Sequence, residues 1–106
     1  MEDGQIIDLY WKRDQRAIGE TDEKYGRLLH SIAWNLLRSR EDAEECVNDT
    51  YLRAWEAIPP ARPGAFRIWL GQITRNLSLD RWKSLRAEKR GGGAELLLGE
   101  LEDCLP

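Results

Sequence analysis

Two sets of polar side chains recur at helical spacing in this 106-residue chain, and each suits a different kind of binding. The first set lies between positions 41 and 56 and consists of Glu41, Glu45, Asn48, Asp49 and Glu56. Residues three or four apart share one side of a helix, so the set predicts an acidic face. Like charges at this spacing repel by on the order of a few tenths of a kcal/mol, which a basic protein surface would relieve. An ordinary solvated face is the simpler alternative.

The second set carries basic and amide groups. Its members lie on one stripe at helical spacing and are Gln72, Arg75, Asn76, Lys83, Arg86 and Arg90, with the apolar Leu79 among them. Arginine and lysine bind phosphates, whereas asparagine and glutamine offer the donor and acceptor pair that reads base edges. Trp82 and the loop before this helix could stack on unpaired bases. The pattern favours a nucleic-acid surface over a solvated face.

The formal net charge of −3 conceals an uneven distribution. Residues 1–61 contain 8 basic and 13 acidic residues, residues 62–90 contain 8 and 2, and residues 91–106 contain 0 and 4. The segments therefore carry −5, +6 and −4. A net of +6 within residues 62–90 supports nucleic-acid binding by a chain whose overall charge argues against it.

The sequence does not contain the residue patterns of a structural zinc site, a catalytic site or a phosphate-binding loop. Cys46 and Cys104 form no CxxC pair, and with His30 they fall short of the about four ligands that a structural zinc ion needs. We expect Cys46 to be a small core residue and His30 a partly buried structural one. No nucleophile and base pair or glycine-rich phosphate loop is present. The sequence predicts no enzyme, no catalytic residue, no metal and no cofactor.

The expected location is the cytoplasm, without a membrane partner. No apolar run approaches the roughly 20 residues that cross a bilayer. The first four residues, MEDG, lack the basic start and apolar stretch of a signal peptide.

The elements that position these residues are all predicted to be helical, because apolar side chains recur three and four apart and no segment alternates. Helices are expected over residues 5–13, 15–38, 40–58 and 65–90, with Gly26 marking a kink or break in the second. Asp14 is expected to cap the second helix, and Ser39 the third. Pro59 and Pro60 end the third. The core stripe predicted for the fourth helix is Phe66, Trp69, Leu70, Ile73 and Leu77.

Two segments carry a family resemblance. Residues 40–55 read REDAEECVNDTYLRAW, and residues 66–81 read FRIWLGQITRNLSLDR. The first resembles region two of bacterial sigma factors of the extracytoplasmic-function group of the sigma-seventy family, with its acidic-Ala-acidic start and aromatic-Leu-x-Ala-Trp ending. The second is similar to that family's Trp-Leu-x-x-Ile-x-x-Asn-x-x-x-Asp pattern. The resemblance covers most of residues 5–90 and implies an all-α compact bundle of four to five helices with a long C-terminal basic helix.

The resemblance implies a division of labour between the two surfaces. Glu45, Asn48 and Asp49 occupy the positions that contact the clamp helices of the RNA polymerase β′ subunit. Residues 59–64 and the start of the next helix match the segment that captures a base flipped from the non-template strand of promoter DNA. The following helix would contact the minus-ten element through Gln72, Arg75 and Asn76, with phosphates bound by Lys83 and Arg86. An anti-sigma factor is a further expected partner.

The chain departs from the family in lacking region four with its helix-turn-helix. Residues 1–90 are therefore predicted to form the region-two domain, and residues 91–106 the acidic, flexible start of an interdomain linker. The chain is interpreted as a truncated fragment or a natural region-two protein. Two other functions stay open: a helical protein-protein adaptor without a DNA role, and a helix-turn-helix repressor, for which the fourth helix is too long.

Overall fold

Four α-helices make up residues 1–90, which are the residues that the computed structural model describes, with side chains through residue 87. They are α1 (Asp3–Trp11), α2 (Arg16–Leu37), α3 (Arg40–Ala57) and α4 (Phe66–Arg90). Residues 1–90 contain no strand, and the all-α prediction is confirmed. The linker predicted for residues 91–106 lies outside the described residues.

The first two helices begin with side-chain hydrogen bonds to the backbone. The Gln5 amide oxygen accepts from the backbone N–H of Glu2 at 3.0 Å, and α1 begins two residues earlier than predicted. At α2 the carboxylate of Asp14 accepts from the backbone N–H of Arg16 at 3.0 Å, although the helix begins one residue later than expected. The Arg16 side chain also donates to Asp14 and lowers the pKa of that carboxyl to about 2. Asp14 therefore satisfies a donor of the first turn, as the sequence indicated.

The end of α1 has an unusual residue in its turn. The backbone N–H of Arg13 donates to the carbonyl of Tyr10 at 3.0 Å, and that of Asp14 donates to the carbonyl of Leu9 at 2.9 Å. This pair of bonds is the Schellman helix ending, in which glycine is the usual residue. Arg13 adopts the left-handed conformation with a φ of 56°. Such a conformation costs an L-residue on the order of 1 kcal/mol relative to a right-handed one.

Local signals also bound α3. The hydroxyl oxygen of Ser39 accepts from the backbone N–H of Asp42 at 3.3 Å, which confirms the predicted cap. Ile58 is already extended, with a φ of −109° and a ψ of 115°. A proline disfavours the helical conformation of the residue before it, which here is Ile58. The helix therefore ends at Ala57, one residue earlier than predicted.

Phe66 joins the helices in an aromatic cluster. Its ring centre lies 6.2 Å from that of Tyr10, 6.1 Å from that of Tyr25 and 6.0 Å from that of Trp69. Tyr10 also lies 6.1 Å from Trp55. Aromatic pairs at these separations add to the free energy of area burial, so the first residue of α4 is anchored by α1, α2 and its own next turn.

The buried side of α4 is more polar than the sequence predicted. Its buried residues recur every four positions and are Phe66, Leu70, Thr74 and Ser78. Of the predicted stripe, Trp69, Ile73 and Leu77 are only half-buried. Thr74 is tolerated in the core because its hydroxyl lies 2.7 Å from that of Thr50 on α3, and Thr50 donates in turn to the carbonyl of Cys46.

α2 continues through Gly26 without the predicted break. The phenol of Tyr51 on α3 donates to Oδ1 of Asp22 at 2.7 Å beside this glycine. A Cβ at Gly26 would lie 2.7 Å from the same Oδ1, which is too close. Gly26 therefore leaves room for a hydrogen bond between α2 and α3. Burial, followed by this bond to a carboxylate, raises the pKa of Tyr51.

Gly26→Ala is expected to lower the free energy of unfolding by about 1 kcal/mol, since a hydrogen bond to a charged group outweighs the gain in helix propensity. Urea unfolding would measure it. Gly19→Ala is the matched control, because a Cβ at Gly19 meets nothing within 4 Å. That variant should gain up to about 1 kcal/mol. Equal stabilisation of both variants would contradict a requirement for space at Gly26.

Candidate protein-docking and nucleic-acid surfaces

The acidic face predicted for α3 points to solvent. Its five members are all exposed: Glu41, Glu45, Asn48, Asp49 and Glu56. The residues on the other side of the helix are buried, among them Ala43, Val47 and Ala54. The structure thus brings the three predicted polymerase contacts together on one exposed side, which we call the α3 docking face.

Arg81 of α4 pairs with two carboxylates of α3. Its Nε and Nη2 donate to Oδ1 of Asp42 at 3.1 and 2.7 Å, and Nη2 lies 2.7 Å from Oε2 of Glu45. The hydrogen bonds that Arg81 donates to Asp42 are the leading cause that raises the pKa of Arg81. Glu45 is therefore already partnered within the chain. Sequence reasoning missed this contact because the two segments lie far apart along the chain.

Leu52 lies on the α3 docking face and was missed by the sequence reasoning. It follows Asn48 by four positions, follows Asp49 by three and precedes Glu56 by four, so it shares their side of the helix. Its exposed fraction is 54%. A single exposed leucine is ordinary in a protein surface. Its position among acidic groups, however, gives a docking partner apolar area to bury beside the charges.

The basic set of α4 lies opposite the buried side of that helix. Gln72, Asn76 and Lys83 are exposed, whereas Arg75 and Arg86 are half-buried. The structure therefore places all five predicted DNA contacts along one side, which we call the α4 basic stripe. The side chain of Arg90 lies outside the described residues.

Trp82 lies next to this stripe, and its ring is partly covered. The Trp82 side chain is half-buried, and the guanidinium carbon of Arg86 lies 5.3 Å from its ring centre. A cation at this distance is attracted by the indole face. The pair combines a stacking surface with a positive charge, which suits a nucleobase and its phosphate.

The loop between α3 and α4, residues 59–64, is contacted by the N-terminal part of the chain. Arg13 donates from Nη1 to the carbonyls of Trp55 and Ile58, each at 2.8 Å. Within the loop, the guanidinium of Arg62 donates to the carboxylate of Asp8 on α1. The segment predicted to capture a flipped base is therefore held by α1 and the turn after it.

Other kinds of site are not found among residues 1–90. No group of three or more histidine, cysteine or acidic side chains there could hold a metal ion. Cys46 is buried, and burial raises the pKa of its thiol. His30 is half-buried, as predicted. None of these helices is long and apolar enough to cross a bilayer.

Comparison with known proteins identifies relatives of the segment that carries both surfaces. Residues 22–88 match the family model described as Sigma-70 region 2. The chain is 33% identical to the ECF RNA polymerase sigma factor SigE of Mycolicibacterium smegmatis, over 63% of this chain and 27% of that protein. It is 35% identical to the RNA polymerase sigma factor CnrH of Cupriavidus metallidurans, over 84% and 47%. A third relative is the probable RNA polymerase sigma factor RfaY of Xanthomonas campestris, 31% identical over 87% and 24%.

These matches cover unequal parts of the two proteins compared. The chain spans between about a quarter and a half of the length of these relatives. No solved structure matches it significantly. The comparison therefore concerns one domain of longer proteins.

Arg81 is expected to couple more strongly with Asp42 than with Glu45. The Asp42 side chain is 20% exposed and accepts two hydrogen bonds, whereas Glu45 is 58% exposed. A double-mutant cycle with Arg81→Gln and Asp42→Asn should give about 0.5–1 kcal/mol of coupling by urea unfolding. The cycle with Glu45→Gln should give less than about 0.5 kcal/mol. A larger coupling to Glu45 would contradict this ranking.

Proposed function

The chain belongs to the sigma-70 region 2 family, and on that premise we propose that it acts in transcription initiation as the promoter-recognising domain of a sigma factor. The observation that carries the proposal is that the matched residues 22–88 contain two oppositely charged exposed surfaces on adjacent helices. The sequence predicted that the chain is not an enzyme. Sigma factors are initiation factors rather than enzymes, so family membership confirms this prediction.

In this proposal the α3 docking face binds the clamp helices of the polymerase β′ subunit. Glu45, Asn48 and Asp49 supply charge and hydrogen bonds to a basic partner surface, and Leu52 supplies apolar contact. Opposite charges across such an interface accelerate encounter and set orientation. Glu45 also pairs with Arg81, which partly neutralises its charge. Asp49 therefore presents more negative charge than Glu45 to the partner surface.

The loop at residues 59–64 and the α4 basic stripe would bind the minus-ten element of promoter DNA. Gln72 and Asn76 are exposed amides suited to base edges, and Arg75 is held half-buried beside them. Lys83 and Arg86 would neutralise phosphates. Unstacking a base costs on the order of a few kcal/mol, which stacking in a protein pocket and phosphate neutralisation would offset. The non-template strand would then be captured as the duplex melts.

The proposal includes the cell compartment and a regulator. RNA polymerase core and promoter DNA place the chain in the cytoplasm. An anti-sigma factor would restrain it by covering one or both surfaces, because an acidic and a basic face are each open to a partner of opposite charge. A helical adaptor without a DNA role is the alternative function, and it would bind polymerase without binding promoter DNA.

Charge reversal on the α3 docking face should abolish polymerase binding. Glu45→Lys with Asp49→Lys is expected to weaken binding to a β′ clamp fragment at least a hundredfold, because two attractive contacts become repulsive. Surface plasmon resonance would measure it, with circular dichroism reporting the fold. Glu20→Lys with Glu23→Lys on α2 is the control of equal charge change and should bind normally. Equal loss in both double variants would reduce the contact to overall charge.

Truncation on the α4 basic stripe should weaken DNA binding selectively. Arg75→Ala with Asn76→Ala is expected to reduce affinity for a single-stranded non-template minus-ten oligonucleotide by at least tenfold with polymerase core present. Fluorescence anisotropy would measure it, and Arg27→Ala with Asn35→Ala on α2 removes the same residue types as a control. An equal loss on a scrambled sequence would make this helix a non-specific phosphate binder. Polymerase binding without any preference for DNA sequence would favour the adaptor function.

A further inference from the structure

The turn between α1 and α2 reaches across the molecule to the end of α3. Arg13 is 42 and 45 residues from Trp55 and Ile58, whose carbonyls it contacts through Nη1 at 2.8 Å. Its guanidinium carbon also lies 3.7 Å from the ring centre of Trp55. One side chain therefore makes two hydrogen bonds and a stacking contact with the residues that lead into the loop at 59–64.

The second contact lies at the far side of the same loop. Arg62 donates to the carboxylate of Asp8, and its guanidinium carbon lies 5.4 Å from the ring centre of Trp11. Asp8 and Trp11 belong to α1, which is packed into the core through Ile6, Ile7 and Tyr10. The chain thus contacts α1 or the turn after it on both sides of Pro59 and Pro60.

Arg13 brings a positive charge to the end of α3. The last turn of α3 contains no basic residue of its own, so its terminal carbonyls carry uncompensated negative partial charge. Arg13 supplies the compensating cation from another part of the chain. A guanidinium can donate in its plane while its face stacks on an indole, and an ammonium group cannot reproduce that geometry.

The backbone conformation at this position favours glycine, yet the residue is Arg13. Its left-handed φ of 56° suits glycine, and the Schellman bonds would be made equally well by glycine. The helix ending itself does not require arginine. The side chain instead finds its role in the contacts with Trp55 and Ile58.

We infer that Arg13 is a positioning residue for the base-capturing loop, and that it acts by fixing the end of α3 from which the loop departs. The pair of Asp8 and Arg62 fixes the other side. This inference rests on the proposed function, because base capture is the role proposed for residues 59–64. It assigns to the α1–α2 turn an effect on DNA affinity without contact with DNA.

Two variants separate positioning from charge. Arg13→Lys keeps the charge and loses the planar geometry, while Arg13→Gly removes the side chain and suits the left-handed backbone. Arg16→Lys is the matched control at the start of α2, since Arg16 pairs only locally with Asp14 among the ion pairs of residues 1–90. The DNA probe is a single-stranded oligonucleotide selected from a random pool on the complex of the chain with polymerase core.

Both Arg13 variants are expected to bind this oligonucleotide about tenfold more weakly with polymerase core present, and Arg16→Lys to bind normally. Affinity for polymerase core should stay within twofold of the parent chain. The slope of log affinity against log salt should not change, because no phosphate contact is lost. Without DNA, the amide of Ala61, which donates to the carbonyl of Ala57 at 2.9 Å, should exchange at least tenfold faster in both variants.

Full affinity in Arg13→Lys would overturn the inference, because charge alone would then suffice. A salt slope reduced by about 0.7 in Arg13→Gly would also overturn it, since that is the signature of a direct contact with a single-strand phosphate. If the amide of Ala61 exchanged at the parent rate in both variants, the inference about Arg13 would be overturned and the proposed function would stand. A parent complex that does not prefer the selected oligonucleotide over a scrambled one would overturn the proposed function, and the base-capture role of the loop with it.

Discussion

The buried hydrogen bond between the hydroxyls of Thr50 and Thr74 determines how α3 and α4 lie against each other. The two oxygens are 2.7 Å apart, and both side chains are completely buried. A buried hydroxyl without a partner costs on the order of 1–3 kcal/mol, so sliding either helix by one turn would be unfavourable for Thr74, whose hydroxyl would lose Thr50. With the inner sides held in register, the outer sides are fixed as well. The α3 docking face and the α4 basic stripe consequently form one rigid frame.

Much of this arrangement could be predicted from local patterns. Helix positions follow from apolar residues three and four apart, and the Ser39 cap and the proline stop need only a few neighbouring residues. The exposed acidic face of α3 follows from the same periodicity. These features share one property, which is that their physical cause lies within a single helix or its immediate flanks.

Three features that escaped prediction depend on distant parts of the chain. Thr74 is polar, so hydrophobic periodicity assigns it to the surface, and only its partner Thr50 explains its burial. Arg81 sits in a basic segment and counts there as a cation for nucleic acid, yet the fold directs it to Asp42. Arg13 has a conformation that a sequence pattern assigns to glycine. In each case the three-dimensional neighbour decides which of two ordinary roles a side chain takes.

Arg81 makes the charge on α4 depend on mutations in α3, because its two partners belong to that helix. A mutation that neutralises Asp42 or Glu45 would remove one of the two partners of the Arg81 guanidinium, so one nucleotide change in α3 would make the charge between α3 and α4 more positive. A chimera that exchanges α3 between relatives would therefore retain a matched ion pair when the residue at position 81 comes with it.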